Sequence, residues 1–512
     1  MKSIIKAIVC YLLAISTYIL SAQQTYPPNM YADTAFAPFL YGVASGDPLA
    51  HRVIIWTKLE VTDTTINQVP VSWQISRDSL FRGLNNSGTA VAYKQYDYTV
   101  KVDATELSQG ETYYYRFITT DGKNSQVGIA KTLPPDTTTH FKLAVVSCSS
   151  IWSGYFNAYK RIAERSEIDY VIHLGDYVYD FVDKDEQVRM PTPYPTDPTT
   201  LDEWRERHKY YLLDPDLRAA RQNKTWIAEW DNHDTDVNHK DNRQDAIETF
   251  YEYLPIRMPD YNHPERIYRT FHFGKLADLM MIDMHLFRGK EEYAPGEGSV
   301  LGNVQDDWFK KQLLTSTAKW KLVGNQEMMG SWMSEGLPKF INVPGNGKVF
   351  DTGNWDGYPN DRARLYNYID SNHINNFVVM TGDAHMSFVM DLTATPKDRH
   401  LYKRRTGKGA VGVEVLGPSI SRGNMDERPS IPKAFIPLIQ SISKDINPHH
   451  VWCQFTKHGY VTLDVTPERC RADFWYSDIL KQTNKETFAR GYQVKDGENH
   501  WRHKAIKRKQ KK

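Results

Sequence analysis

The 512-residue chain has little cysteine, no surplus of charge and, beyond its first two dozen residues, no long apolar run. Each shortage excludes something. Its 63 Lys and Arg balance 62 Asp and Glu to a formal charge of +1, so no overall field draws the chain to nucleic acid or an acidic membrane. Positive charge gathers only in the final "RHKAIKRKQKK", which reads as a solvated tail. No segment after residue 22 is long and apolar enough to span a bilayer. There is no internal repeat, and no low-complexity tract besides the tail.

What is present begins with an export pattern. Lys2 and Lys6 precede the apolar "AIVCYLLAISTYIL", and "LSA" ends at Ala22 before Gln23. Residues 1–22 therefore read as a secretory signal peptide, with Cys10 too far inside the apolar run to mark a lipoprotein. The mature chain is expected to be periplasmic or extracellular, soluble and without a membrane anchor. It keeps Cys148, Cys453 and Cys470. Cys453 and Cys470 lie in adjacent strand-like runs, "VWCQF" and "RCRADFWY", and are expected within reach of a cross-hairpin disulfide, leaving Cys148 over.

Residues 36–135 read as a β-sandwich, because short β-branched and aromatic runs alternate with turn signals. Within "ELSQGETYYYRF", Leu107 and Tyr113 have the spacing of a tyrosine corner. "KTLPPDTTTH" reads as a linker. From 140 to 490, strands alternate with helical patterns, which argues for an α/β domain, a sheet covered by helices. "MPTPYPTDPTT" and residues 330–359 suit loops over a cleft, and 491–512 forms the basic tail.

The chemistry gathers where apolar strands stop. "LAVVS" runs into Cys148, "YVIHLG" into Asp176, "WIAEW" into Asp231, Asn232 and His233, and "FVVMTG" into Asp383 and His385. Ligand sites of α/β sheets lie at that edge. Each residue has an ordinary alternative: a packed thiol, a turn, a helix cap or a satisfied histidine. Four successive strand ends with metal-capable side chains point instead to a metal site. Two cations about 3.5–4 Å apart need a bridging carboxylate, and Asp176 is the candidate.

These residues resemble the calcineurin-like metallophosphoesterases, whose strand-end motifs include "GDxxD" and "GNHE". More specifically, "SGDP…VIIWT", "SCSS", "HLGDYVYD", "WDNHD", "IDMHLFRG", "WKLVGNQEMM", "WDGYPNDRARL" and "TGDAHMS" resemble the alkaline phosphatase D (PhoD-like) family. The resemblance implies an N-terminal immunoglobulin-like sandwich followed by a metallophosphatase domain of two sheets flanked by helices. It implies Cys148 as a thiolate ligand of one metal, Tyr179 as a phenolate ligand of iron(III), Asp176 as the bridge and Asn232 on a second metal, with Asp383 and His385 completing the set. Iron and calcium are the implied metals, with zinc or manganese as substitutes. His233 becomes the acid or phosphate-holding group, and Arg288 a phosphate clamp. Tyr177 and Asp180 are left to packing.

Four positions depart from the family pattern. Asn232 stands where the family usually has Asp but restores the residue of the broader "GNHE" motif, Asp234 replaces a longer carboxylate expected to orient His233, His285 stands where arginine is common, and Glu327 where glutamine is common. These bear on substrate more than on chemistry. The expected activity is that of an exported, monomeric phosphoester hydrolase in which a metal-bound hydroxide attacks phosphorus in line. Its substrate is a phosphomonoester or phosphodiester, small or polymeric, with no nucleic-acid specificity evident. Two alternatives stay open: a secreted binding protein with a spent phosphatase domain, and a phosphodiesterase specialised for phospholipid or wall polymer.

Overall fold

The computed structural model describes residues 30–182, 188–189, 196–235, 242–289, 298–336, 347–427 and 432–503. The expected signal peptide and the last part of the tail lie outside the described residues.

The N-terminal strands are β1 (Val43–Gly46), β2 (Val53–Lys58), β3 (Gln68–Ser76), β4 (Asn86–Tyr93), β5 (Thr99–Ala104), β6 (Thr112–Thr119) and β7 (Gly128–Lys131). Alternation places Val71, Trp73 and Ile75 of β3 beside Tyr113, Tyr115 and Phe117 of β6 on one buried face. They pack on Val53, Ile55 and Val100, so a β4-β3-β6-β7 sheet lies over β1, β2 and β5 as a sandwich. The Tyr113 hydroxyl accepts the Ser108 amide at 2.8 Å, beside the buried Leu107.

The next strands are β8 (Phe141–Val146), β9 (Tyr170–Leu174), β10 (Thr225–Glu229), β11 (Arg269–Phe273), β12 (Ala277–Met281), β13 (Trp320–Asn325), β14 (Phe377–Thr381), β15 (Ser387–Leu392), β16 (Gly412–Leu416) and β17 (His450–Gln454). The last are β18 (His458–Thr466), β19 (Arg469–Ser477), β20 (Glu486–Lys495) and β21 (Arg502–His503). They build two sheets. One has ten strands in the order β21-β20-β19-β18-β8-β9-β10-β1-β2-β5; the other has seven, β11-β12-β13-β14-β16-β15-β17. The parallel strands β8, β9 and β10 are buried throughout, as strands covered on both faces must be. Leu143, Val145, Ile172 and Ile227 of the first sheet meet Leu279, Leu322, Val378 and Met380 of the second in one core.

Helices cover the outer faces. Trp226, Val171 and Ala144 pack under α1 (Asn157–Glu164), α2 (Leu201–Tyr211), α3 (Pro215–Asn223) and α4 (Arg243–Tyr253). Met280, Val323 and Val379 pack under α5 (Gly302–Thr315) and α6 (Pro359–Ser371), and α7 (Ile436–Ile446) lies beside β17. Helix α2 carries a full capping box, Thr200 with Glu203, and α3 starts at Asp214 with Pro215 in its first turn.

Three sequence expectations change. Residues 132–140 are irregular, as a linker should be, yet the sandwich is not a separate bead. β1 pairs in parallel with β10, Ser45 opposite Thr225, so one sheet runs through both regions. Residues 491–503 are not tail: β20 extends to Lys495, β21 pairs with it, and the buried Trp501 indole donates to the Glu414 carbonyl at 3.0 Å. Cys453 and Cys470 do not share a hairpin. They sit in different sheets, each packed as a free buried thiol, because β17 belongs to the seven-stranded sheet and β19 to the ten-stranded one.

The β1–β10 seam is tight. A Cβ on Gly46 would lie 2.5 Å from the Pro255 carbonyl oxygen and 2.7 Å from that of Trp226, whereas a Cβ on Gly83 would meet nothing within 4 Å. Gly46→Ala is expected to cost about 1–3 kcal/mol and lower the denaturation midpoint, while Gly83→Ala leaves it unchanged. Equal midpoints for the two variants would contradict the seam.

Candidate metal centre

The donors stand at the C-terminal ends of strands from both sheets. Cys148 follows β8, Asp176 follows β9 and Asp231 follows β10; His285 follows β12, Glu327 follows β13, and Asp383 and His385 follow β14. Because the two sheets face each other, these ends converge. Thiol, carboxylate and imidazole donor atoms of Cys148, Asp176 and His385 lie within 4.8 Å of one another. So do carboxylate oxygens of Asp176, Asp231 and Asp383. Asp176 belongs to both groups.

The backbone is bent to achieve this. Cys148, Asp176, Asp383 and His385 have φ of 59°, 54°, 56° and 61°, the left-handed region that non-glycine residues avoid. Strain of this kind costs on the order of 1–3 kcal/mol per residue and persists where surrounding structure demands it. Gly175, at φ +94°, must be glycine, since a Cβ there would lie 2.3 Å from Asp231 Cβ. The Cys148 amide donates to the Gly175 carbonyl at 3.1 Å, which ties the ends of β8 and β9 together.

Around the donors, polar groups set orientation. His385 Nδ1 lies 2.9 Å from the Gly423 carbonyl, so Nε2 faces the Tyr179 hydroxyl at 3.4 Å. Tyr179 is fully buried, and Arg422 lies over its ring at 5.2 Å. His233 stacks near Tyr179 with ring centroids 4.4 Å apart, and its amide donates to Asp176 Oδ1 at 3.3 Å. Its Nδ1 is paired with Asp180 at 2.6 Å. Asp180 therefore orients His233, where Asp234 was expected to. Asp234 accepts from the Val178 amide at 2.9 Å and the Asp231 amide at 3.0 Å, and so braces the two motif loops against each other. Tyr177 accepts from Arg221 at 2.8 Å within the helical layer.

Arg288 donates from Nη2 to Glu327 at 2.8 Å and from Nε to the Met284 carbonyl at 2.6 Å, so one edge of the expected clamp is already engaged. Asn232 follows Asp231 on the same turn and donates its amide to Asp231 Oδ1 at 2.9 Å. Sequence reasoning left Asp231, Asp180 and Arg422 without roles. Asp231 was visible as a strand-end acid; Asp180 and Arg422 carried no local signal.

Electrostatics favour bound cations. Burial, followed by the Asp176 and Asp383 charges, pushes the Cys148 thiol well above its usual range. Burial and the Asp176 carboxylate do the same to the Tyr179 phenol. Burial also raises Asp176 and Asp231, and lifts Asp234 to about 8. His233 is raised despite its burial, because Asp176 and Asp180 favour the imidazolium. Such donors hold protons until a cation replaces them. The unpartnered, fully buried Asp231 Oδ2 fits that requirement. The residues thus suit two adjacent cations, one with thiol, imidazole and phenol donors and one with carboxylates.

Comparison with known proteins agrees with this geometry. Residues 143–474 match the PhoD-like phosphatase family, and residues 24–134 match the PhoD-like phosphatase N-terminal domain. Alkaline phosphatase D of Bacillus subtilis (strain 168) is 31% identical over 509 residues, covering 90% of this chain and 81% of that protein. A solved structure described as the structure of PhoD superposes with a TM-score of 0.80 at 28% identity, covering 93% of each chain. The resemblance read from the motifs and the mixed α/β architecture both stand, and the family is metal-dependent. No helix among the described residues is long and apolar enough to cross a membrane. The chain belongs to the PhoD-like phosphatase family and is a hydrolase of phosphoesters.

Proposed function

We propose that this protein is an exported phosphoester hydrolase working through two cations bridged by Asp176. The observation that carries this reading is the sharing of Asp176 between two donor groups, one with Cys148 and His385, the other with Asp231 and Asp383. Tyr179, 3.4 Å from His385, joins the first group, and Asn232, next to Asp231, the second. Thiolate, phenolate and imidazole suit iron(III), and an all-oxygen set suits calcium. When bound, the cations supply Lewis acidity toward a phosphoryl oxygen and a water whose pKa falls toward about 7. Export rests on the basic and apolar pattern of residues 1–22.

The chain's own residues do the rest. His233, held through Nδ1 by Asp180, is the proton donor to the leaving oxygen. Arg422, beside Tyr179, and Arg288 add positive charge for the in-line transition state. Pairing of Arg288 with Glu327 spends part of that charge internally, which favours a singly charged diester over a doubly charged monoester. Water rather than a serine is the nucleophile. Ser149 is bonded to Tyr159 at 2.6 Å and Ser150 to Ser153 at 2.6 Å, so neither of these two hydroxyls of the "SCSS" run is free to attack.

Asp176→Asn is expected to abolish hydrolysis of both a nitrophenyl monoester and its diester, and to remove at least one of the bound metals, iron and calcium in elemental analysis. Retained turnover would refute the bridge. His233→Asn is expected to lower kcat about 10²–10⁴-fold on an alkyl ester and much less on a nitrophenyl ester, whose leaving group departs without a proton. Equal losses on the two esters would rule out the proton-donor role.

A further inference from the structure

An open cleft of about 520 Å³ lies where the N-terminal sandwich meets the helical layer. None of the metal donors lines it. Tyr96 and Thr99 come from the sandwich, Gln244, Glu248 and Tyr251 from α4, and Tyr261 from the loop beyond α4. Aromatic surface is laid bare here. Tyr261 is 86% exposed and Tyr96 46%, and Tyr93 stands edge-on to Tyr96 with ring centroids 6.5 Å apart. Clustered exposed rings of this kind mark binding surfaces. Among the described residues, the side chains of Gln244 and Glu248 have no hydrogen-bond or ion-pair partner.

The other charged groups of the cleft are committed. Lys101 donates to the carbonyls of Tyr251 and Ile256, the latter at 3.1 Å. Glu252 Oε2 accepts from Arg205 Nε at 2.7 Å, and Arg205 also donates to the Gln95 carbonyl at 2.6 Å. The turn Lys94–Tyr96 is thereby fixed against α2 and α4. The Trp56 indole, donating to the Glu252 carbonyl at 2.7 Å, ties the sandwich to α4 a second time. The two walls are therefore held in place before any ligand arrives, which lowers the cost of binding.

We propose that this cleft binds an uncharged saccharide chain. A pyranose ring has apolar C–H faces and a rim of hydroxyls. The faces suit the rings of Tyr96 and Tyr261, rigid anchors that lose little entropy on binding. The hydroxyls suit the Gln244 amide, which both donates and accepts, and the Glu248 carboxylate, which accepts. Charge argues against an anionic ligand. Among the described residues that line the cleft, the one cation is Lys101, already bonded to two carbonyls, while Glu248 repels negative charge. The volume falls within the range of about 300–1,000 Å³ usual for ligand clefts. The sandwich thus gains a function of its own, holding the enzyme on a sugar polymer. The site uses no metal donor, and the proposal does not rest on the two-cation reading.

The test titrates the purified full chain calorimetrically with cellohexaose, maltohexaose and chitohexaose, and with hexagalacturonate as the acidic counterpart. At least one uncharged hexamer is expected to bind, and hexagalacturonate to bind at least about tenfold more weakly. Tyr96→Ala and Tyr261→Ala are each expected to weaken binding about tenfold or more. Both positions are exposed, so hydrolysis of a nitrophenyl diester and the denaturation midpoint are expected to stay unchanged. If either tyrosine variant folds poorly, Gln244→Ala, at another exposed position, decides by the same loss of affinity. No binding of any uncharged hexamer, equal affinity for hexagalacturonate, or full affinity in the folded variants overturns the proposal.

Discussion

Everything at the centre of this protein depends on the burial of carboxylates. Asp176 and Asp231 are withdrawn from water, and Asp383 lies with them, close enough that carboxylate oxygens of all three fall within 4.8 Å. Uncompensated, such charges are among the costliest features a fold can carry. Cations held among them would offset that cost, and the surrounding structure is arranged to suit them. The left-handed turns at Cys148, Asp176, Asp383 and His385 aim donors inward, and Gly175 lets the β9 loop press against Asp231. Metal binding in such an arrangement would add to the folding free energy as well as supply reactivity.

The two-sheet core makes the convergence possible. Each sheet alone offers a row of strand ends; packed face to face, they bring Asp176 and Asp231 from one row to Asp383 and His385 from the other. The N-terminal sandwich belongs to the same construction, since β1 extends the sheet that carries Asp176 and Asp231. At the opposite edge, β18 pairs with β8, the strand that ends at Cys148. Segments far from the site in sequence thus hold the strands on which its donors are mounted.

Most of the site was legible because metal chemistry writes itself into local patterns. An apolar run ending in Cys, Asp or His is visible in one dimension, and the candidates Cys148, Asp176, Asp383 and His385, whose donor atoms the fold brings close, were all read that way. What was not legible depends on packing between distant segments. Asp234, next to His233 in the chain, was the natural choice to orient it, but a one-residue step points the carboxylate at the Val178 and Asp231 amides, while Asp180 reaches the imidazole from another loop. The same limit explains Cys453 and Cys470, whose strands adjoin in sequence but enter different sheets. Helices α2 and α3 hid behind a Pro-rich stretch, although the capping box at Thr200 and Glu203 and the Asp214–Pro215 start were there to be read.

The most direct measurement strips metal with a chelator while the visible absorption spectrum, diester hydrolysis and metal content are recorded on one sample. If Tyr179 and Cys148 hold iron(III) and the Asp176 pair carries the chemistry, a visible band and turnover fall together as metal leaves, and both return when iron and calcium are restored. Full turnover from metal-free protein would contradict the account.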